Sequence, residues 1–472
     1  PRTAVARATS RASLGLALVL LSACAITTPY QRPELPVPAA FKEAGATWVP
    51  AAPADALDRG PWWELFGDAE LNRLAEQVQL SHQNIAAAVA AYAQAQAVVR
   101  QQRAGLLPSV SLSGGATRSG GEGASRSGTS TQASLGVDWA PDLWGRLESS
   151  VNSAQASAQA SEADLASARL SAVGSLASAY FQLREADAEI GLLQATVEGY
   201  ERSLQIARNR YAAGVVAQTD VLQAQTQLAN ARAELATVRQ NRARFEHALA
   251  VLTGRAPADF ALPRAPWVAE VPAVPPAVPS TLLQRRPDIA AAERAVAAAN
   301  AQIGIQRAAY FPSLSLGATL GGGGSSVADL FRASGTVWSL GLSIAQTLFD
   351  AGATAARVDA AQAARDARVA AYRQTVLTAF QSVEDQLTVL RTLQEQEPLR
   401  REAVSAAERT AQQLLNRYRE GQVGYTEVVA AQVSALSAQR ALLQLQVNRQ
   451  LAVVALVQAL GGGWQAPWQA PA

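Results

Sequence analysis

Few side chains in this 472-residue chain are suited to covalent or metal chemistry. The sequence holds one cysteine, Cys24, and two histidines, His82 and His247. A single cysteine forms no internal disulfide. Each histidine stands alone on a helical pattern, and no pair of candidate ligands has metal-binding spacing. Gly321 to Gly324 lacks the Lys-Ser/Thr that a phosphate loop requires, and a hairpin turn is the expectation there. No catalytic residue, metal or cofactor is expected. The acidic groups that stand out do so by repetition. Arg208-Asn209-Arg210-Tyr211-Ala212-Ala213-Gly214 is followed by Thr219-Asp220-Val221. Leu415-Asn416-Arg417-Tyr418-Arg419-Glu420-Gly421 is followed by Thr426-Glu427-Val428. The offset from Tyr211 to Tyr418 is 207, and it holds through Gly, Thr and the acidic residue. Carboxylates so placed attract cations and set local fields; they do no bond-making by themselves.

In each copy a long helical pattern ends at Tyr-x-x-Gly and another begins near Thr-Asp or Thr-Glu. Gly214 and Gly421 suit the left-handed residue past a helix end. Thr219 and Thr426 are the expected N-caps, and Asp220 and Glu427 complement the next helix dipole. An ordinary helical hairpin accounts for either copy alone. Upstream, Leu107-Pro108-Ser109-Val110-Ser111-Leu112 matches Phe311-Pro312-Ser313-Leu314-Ser315-Leu316 at an offset of 204. A unit of roughly 200 residues is thus written twice, far longer than a solenoid repeat.

The N-terminus has Arg2, Arg7 and Arg11, the apolar run Leu14 to Leu21, then Ser22-Ala23-Cys24. Basic, apolar and small residues in that order read as a secretion signal, and the apolar run is too short to span a bilayer. Leu21-Ser22-Ala23-Cys24 looks like a bacterial lipobox, which implies lipidation of Cys24 after cleavage before it; an ordinary signal peptide is the alternative. Ala25, in place of Asp, implies sorting to the outer membrane. Loss of residues 1–23 removes three arginines and no acid, taking the formal charge from +2 to −1. No basic excess remains to attract nucleic acid.

Between the helices the apolar period falls to two. Val110 and Leu112 alternate with serines, and Leu314, Leu316, Ala318 and Leu320 with serines, Gly317 and Thr319. Ala133, Leu135, Val137 and Trp139 alternate with Gln132, Ser134, Gly136 and Asp138, and later Trp338, Leu340, Leu342 and Ile344 with Val337, Ser339, Gly341 and Ser343. These are four strands with one apolar and one polar face, each about ten residues long, as a tilted membrane strand requires. A soluble hairpin packed on a helix gives the same alternation. Four strands cannot close a barrel, so either they are not in a membrane or several chains pool them. After each hairpin runs a very long helical pattern, Leu143 to Arg210 and Gly352 to Arg419, each reaching about 100 Å if unbroken. Pro398 is expected to interrupt the second. Val173, Leu176, Tyr180, Leu183, Ala186, Ile190, Leu193, Val197, Tyr200, Leu204, Ala207 and Tyr211 form a coiled-coil seam, with a partner seam from Leu228 to Leu252.

The expected organisation is a signal peptide at 1–23 and a lipid-anchored, Pro-rich spacer at 24–68. The first repeat follows at 69–255, with a β-hairpin at about 108–140 and a helix-hairpin tip at about 211–220. A Pro-rich connector at 256–286 leads to the second repeat at 287–462, with a β-hairpin at about 312–347 and a tip at about 418–427. Residues 463–472 form a tail. Pro61-Trp62-Trp63-Glu64-Leu65-Phe66-Gly67-Asp68 closes the spacer, its tryptophans fit either for a membrane interface or for packing.

The lipobox, that tryptophan motif, Asp142-Leu143-Trp144-Gly145-Arg146, Arg285-Arg286-Pro287-Asp288-Ile289, Leu348-Phe349-Asp350-Ala351-Gly352 and the doubled Tyr-x-x-Gly hairpin resemble the outer-membrane efflux protein family. Within it they resemble the lipoprotein branch of the TolC-like outer-membrane factors, from Cys24 to Gly463. The resemblance implies a mainly α chain with a small β part: coiled-coil helices forming a periplasmic α-barrel, and four strands per chain closed as a trimeric β-barrel. It also implies docking to a periplasmic adaptor and a proton-driven inner-membrane pump, in a passive exit channel for small molecules such as drugs. Matched onto this sequence, Tyr211, Gly214, Tyr418 and Gly421 fall at the adaptor-docking tips, and Asp220 and Glu427 at a periplasmic gate. Relatives often have a second Asp three residues after the Glu427 position; Ala430 stands there, which departs from a second acidic constriction, and Glu427 is expected to supply the acidic ring, with capping of its own helix as the alternative. Small residues such as Ser111, Ser134 and Ser315 suit a water-filled bore. An exit duct for secreted proteins or metal ions, and a lipid-anchored coiled-coil scaffold, remain as other readings.

Overall fold

A computed structural model describes residues 29–38, 40–44, 61–120, 128–267, 269–272, 285–332 and 336–463. Cys24, the expected signal segment and residues 464–472 lie outside the described residues. Helices α1 (Ala69–Ser81) and α2 (Gln83–Ala104) precede strands β1 (Ser109–Ser119) and β2 (Gly128–Trp139). Helices α3 (Arg146–Ala212) and α4 (Gln218–Leu252) follow. The order then recurs as α5 (Pro287–Arg307), β3 (Ser313–Gly324), β4 (Thr336–Ala345), α6 (Ala353–Arg419) and α7 (Tyr425–Ala459). Chain contacts divide these into two units. One draws on Ala90–Glu162 and Ala291–Gln374, the other on Pro36–Val89, Ala163–Ala290 and Thr375–Ala472.

The first unit contains one antiparallel sheet in the order β1-β2-β3-β4. Directly paired residues share a face, so the register decides what each face presents. Ser111 pairs with Gly136, Ser113 with Ser134, Ser134 with Gly321, and Ser315 with Ser343. All four pairs lie on one small, polar face. Val110, Leu112, Leu135, Leu320, Trp338, Leu340 and Ile344 occupy the opposite face and are exposed. A continuous exposed apolar surface of this kind marks a contact with lipid or another protein. Gly321 to Gly324 is not a turn. It ends β3, paired with Thr131 to Ser134. A Cβ on Gly321 would lie 2.8 Å from the Ala133 carbonyl oxygen and 2.9 Å from the Ser134 Cβ. The glycine lets the two backbones approach.

In the second unit Asp68 caps α1, accepting from the amides of Glu70 at 2.9 Å and Leu71 at 3.1 Å. It also accepts from the Tyr180 hydroxyl at 2.6 Å. Trp62 and Trp63 are buried, so their role here is packing. The seam of α3 is buried from Val173 to Ala207, with Val197 packed at its margin, but Tyr211 is 47% exposed. Helix α6 continues through Pro398. Proline deprives the Gln394 carbonyl of its helical partner, and both residues are exposed, so the lost bond falls where the carbonyl is open to solvent. Asp187, buried on α3, pairs with Arg184 at 3.2 Å and with Arg242 of α4 at 2.7 Å. The same arginines donate to the Pro263 carbonyl at 2.9 Å and the Leu262 carbonyl at 2.5 Å, which pins the connector to the helix pair.

Glu185 lies one turn along α3 from Glu189. Burial and, next, the Glu189 charge push its carboxyl up to about 7, while Arg440 pulls it down. A raised carboxyl favours the folded state while protonated. That contribution is complete below the ordinary value of 4.5 and is lost as pH rises through about 7. The melting temperature should therefore fall as pH rises across that window. Glu185→Gln should flatten the dependence, as followed by helical circular dichroism.

Candidate functional site

Both hairpin tips are built the same way. After α3 the Gly214 amide donates to the Tyr211 carbonyl at 2.9 Å, and the Val215 amide to the Arg210 carbonyl at 2.9 Å. After α6 the Gly421 amide donates to Tyr418 at 3.0 Å, and Gln422 to Arg417 at 2.9 Å. This pair of bonds needs a left-handed residue, and the glycines have φ of 71° and 79°. The following helices do not start at the threonines. Ala217 and Gly424 are the N-caps, both extended and neither with a side-chain cap bond. Thr219 and Thr426 sit inside the first turn and are exposed. Water satisfies the free amides at an open tip, so no side-chain cap is required.

The tips come together on one apolar cluster that includes Tyr200, Leu204, Ala224, Leu228, Tyr418, Tyr425 and Val428. Hairpin α3–α4 holds Tyr418 of hairpin α6–α7 from two sides. Asp220 accepts from the Tyr418 hydroxyl at 3.3 Å. Arg210 lies over the Tyr418 ring, 4.9 Å from its centroid. It also donates to the carbonyls of Tyr418 at 2.5 Å and Arg419 at 2.8 Å. A cation there complements the C-terminal end of α6. Burial, then the Asp220 charge, push the Tyr418 hydroxyl up to about 12, with Arg210 opposing. Tyr418 therefore remains a proton donor at neutral pH. The Thr426 hydroxyl also donates to the Gln223 side-chain oxygen at 3.3 Å.

Of the residues singled out in the sequence, Asp220 and Tyr418 meet in this clasp. Gly214 and Gly421 shape the turns on either side. Tyr211 and Glu427 are exposed and outside it. Arg210 is the member that sequence reasoning gave no role. Its signal was present, because an arginine precedes the tyrosine in both copies. Among the described residues no cluster of His, Cys, Asp and Glu could hold a metal ion. Nor is any described helix long and apolar enough to cross a membrane.

The family model described as Outer membrane efflux protein matches residues 74–255 and 278–462. The chain is similar to the toluene efflux pump outer membrane protein TtgC of Pseudomonas putida, 34% identical over 462 residues, covering 96% of this chain and 95% of the relative. It is similar to the pyoverdine export outer membrane protein OpmQ of Pseudomonas aeruginosa, 32% identical over 469 residues, covering 97% and 98%. Among solved structures, the outer-membrane channel OprN superposes with a TM-score of 0.83 at 31% identity, covering 94% of this chain and 100% of that one.

Proposed function

Since the chain belongs to the outer membrane efflux protein family, whose members are transport proteins of the outer membrane, we propose that three copies close one exit channel for small molecules. The observation that carries this reading is the sheet. Its apolar face suits hydrocarbon and its serine and glycine face suits water, yet β1 and β4 are open edges. Unpaired strand edges are not tolerated in lipid. Pairing β4 of one chain with β1 of the next, three times over, leaves no edge and makes a barrel of about twelve strands. Cleavage before Cys24 and lipidation of its thiol anchor each chain. Residues 24–68 then act as a spacer, and the two repeats at 69–255 and 287–462 supply the hairpins.

The channel opens at the hairpin tips. The clasp of Arg210, Asp220 and Tyr418 holds two hairpins together, and docking of a periplasmic adaptor at the tips parts them. A proton-driven inner-membrane pump supplies the energy. TtgC and OpmQ are named for toluene and pyoverdine, so small organic molecules are the favoured cargo here, in preference to secreted protein or metal ions. The native mass of the detergent-extracted protein tests the assembly. Three chains with three lipid groups support it; one chain leaves the sheet open and overturns it.

Glu427, exposed in the first turn of α7, supplies a carboxylate ring at the periplasmic mouth. With Ala430 in the next turn, the ring has no second acidic layer. Glu427→Gln should lower cation selectivity and relieve divalent block in bilayer recordings. Unchanged selectivity and block would remove Glu427 from the constriction.

A further inference from the structure

The two hairpins obey one offset, but the structure uses their equivalent residues unequally. Tyr418 is 1% exposed and clasped by Arg210 and Asp220. Its counterpart Tyr211 is 47% exposed, although it continues a seam buried up to Ala207. Leu222 is 53% exposed, whereas its counterpart Val429 packs against the tip cluster. The counterparts of Arg210 and Asp220 are Arg417 and Glu427, and both are exposed. Each chain thus presents one filled clasp, one unfilled clasp and one unclasped tyrosine.

We propose that Tyr211 of one protomer enters the Arg417 and Glu427 clasp of the next. The chemistry repeats the contact already made within the chain. A tyrosine hydroxyl donates to a carboxylate. A guanidinium covers the ring and donates to the last carbonyls of the helix carrying that tyrosine. Arg417 would meet the C-terminal end of α3, where a cation is favoured. Burying Tyr211, Val215 and Leu222, all exposed in the single chain, adds apolar area. Key and clasp are different surfaces, so the contact is head-to-tail and closes only as a ring. The inference rests on the trimer proposed above. It makes the partner copy a member of the tip site, and it engages Glu427 with a neighbour whenever the clasp is filled.

The test is thiol cross-linking of the full lipidated chain in detergent. Tyr211→Cys and Glu427→Cys are introduced together and separately, and each sample is treated with a short bifunctional thiol reagent. The double variant should run as linked trimers on a denaturing gel; a single variant carries one free thiol per chain and links two chains at most. A double variant with the native mass of three chains and no linked trimer band overturns the clasp but leaves the trimer standing. An unsubstituted chain with the native mass of one chain overturns the trimer, and the inference with it. As a second reading, Tyr211→Ala should lower the temperature at which the native trimer dissociates, and Tyr211→Phe should do so less. Equal dissociation temperatures in all three proteins would also overturn it.

Discussion

Arg210→Ala should open the channel without its adaptor, raising the conducting population roughly tenfold or more. The guanidinium donates to two carbonyls at the end of α6 and covers the Tyr418 ring. Hydrogen bonds to a charged group contribute about 1.5–3 kcal/mol each, and less where water competes. Arg210 is half-buried, so about 1.5–3 kcal/mol for the whole side chain is the appropriate scale. Each 1.4 kcal/mol shifts a two-state ratio about tenfold. Tyr418→Phe is the milder companion. It loses one bond of 3.3 Å to a half-exposed carboxylate but keeps its ring in the cluster. Single-channel recordings on the purified protein check both, with circular dichroism as the control for folding. If Arg210→Ala conducts like the unsubstituted channel while remaining folded, the clasp does not hold the closed state.

Asp187→Ala should cost about 3–5 kcal/mol. Its carboxylate meets two largely buried arginines, and the side chains of Asp187, Arg184 and Arg242 are 3%, 6% and 13% exposed; the more exposed Arg264 reaches it at 3.9 Å. Among the described residues, removing the acid leaves the buried Arg184 with no carboxylate partner, while Arg242 keeps only Glu246, at 3.1 Å. The connector should loosen as well, because the same arginines hold the Leu262 and Pro263 carbonyls. Thermal melting of the helical signal should fall by on the order of 10 °C. The exposed Arg232–Glu201 pair at 2.7 Å provides the contrast, since its side chains are 60% and 47% exposed. Glu201→Ala should change stability by no more than about 1 kcal/mol. A similar shift for both variants would show that burial of the Asp187 network is not what makes it matter.

The features legible in the sequence were those set by neighbouring residues. Alternating Ser and Leu dictates strands whose faces differ, and the register follows that alternation. Tyr-x-x-Gly ends a helix because glycine reaches left-handed φ without strain, and Gly214 and Gly421 do so alike. The duplication was visible for the same reason, since each copy encodes its own local structure. Tertiary structure decided what local sequence leaves open. Tyr211 and Tyr418 share the Asn-Arg before them and the glycine three residues after, yet one is exposed and the other buried. Their difference lies in which hairpin stands beside them. Arg210 and Asp220 come from opposite sides of a turn, and their common target lies about two hundred residues away in sequence, at Tyr418. Gly321 to Gly324 read as a turn because glycine permits one, but close approach of β2 required glycine inside a strand instead. Thr219 and Thr426 were good caps by type, but the backbone leaving the glycine turn restarted each helix sooner, at an exposed tip where water serves. A residue's type and its neighbours fix the conformations open to it. Which of them is occupied, and which polar group then finds a partner, depends on residues far along the chain.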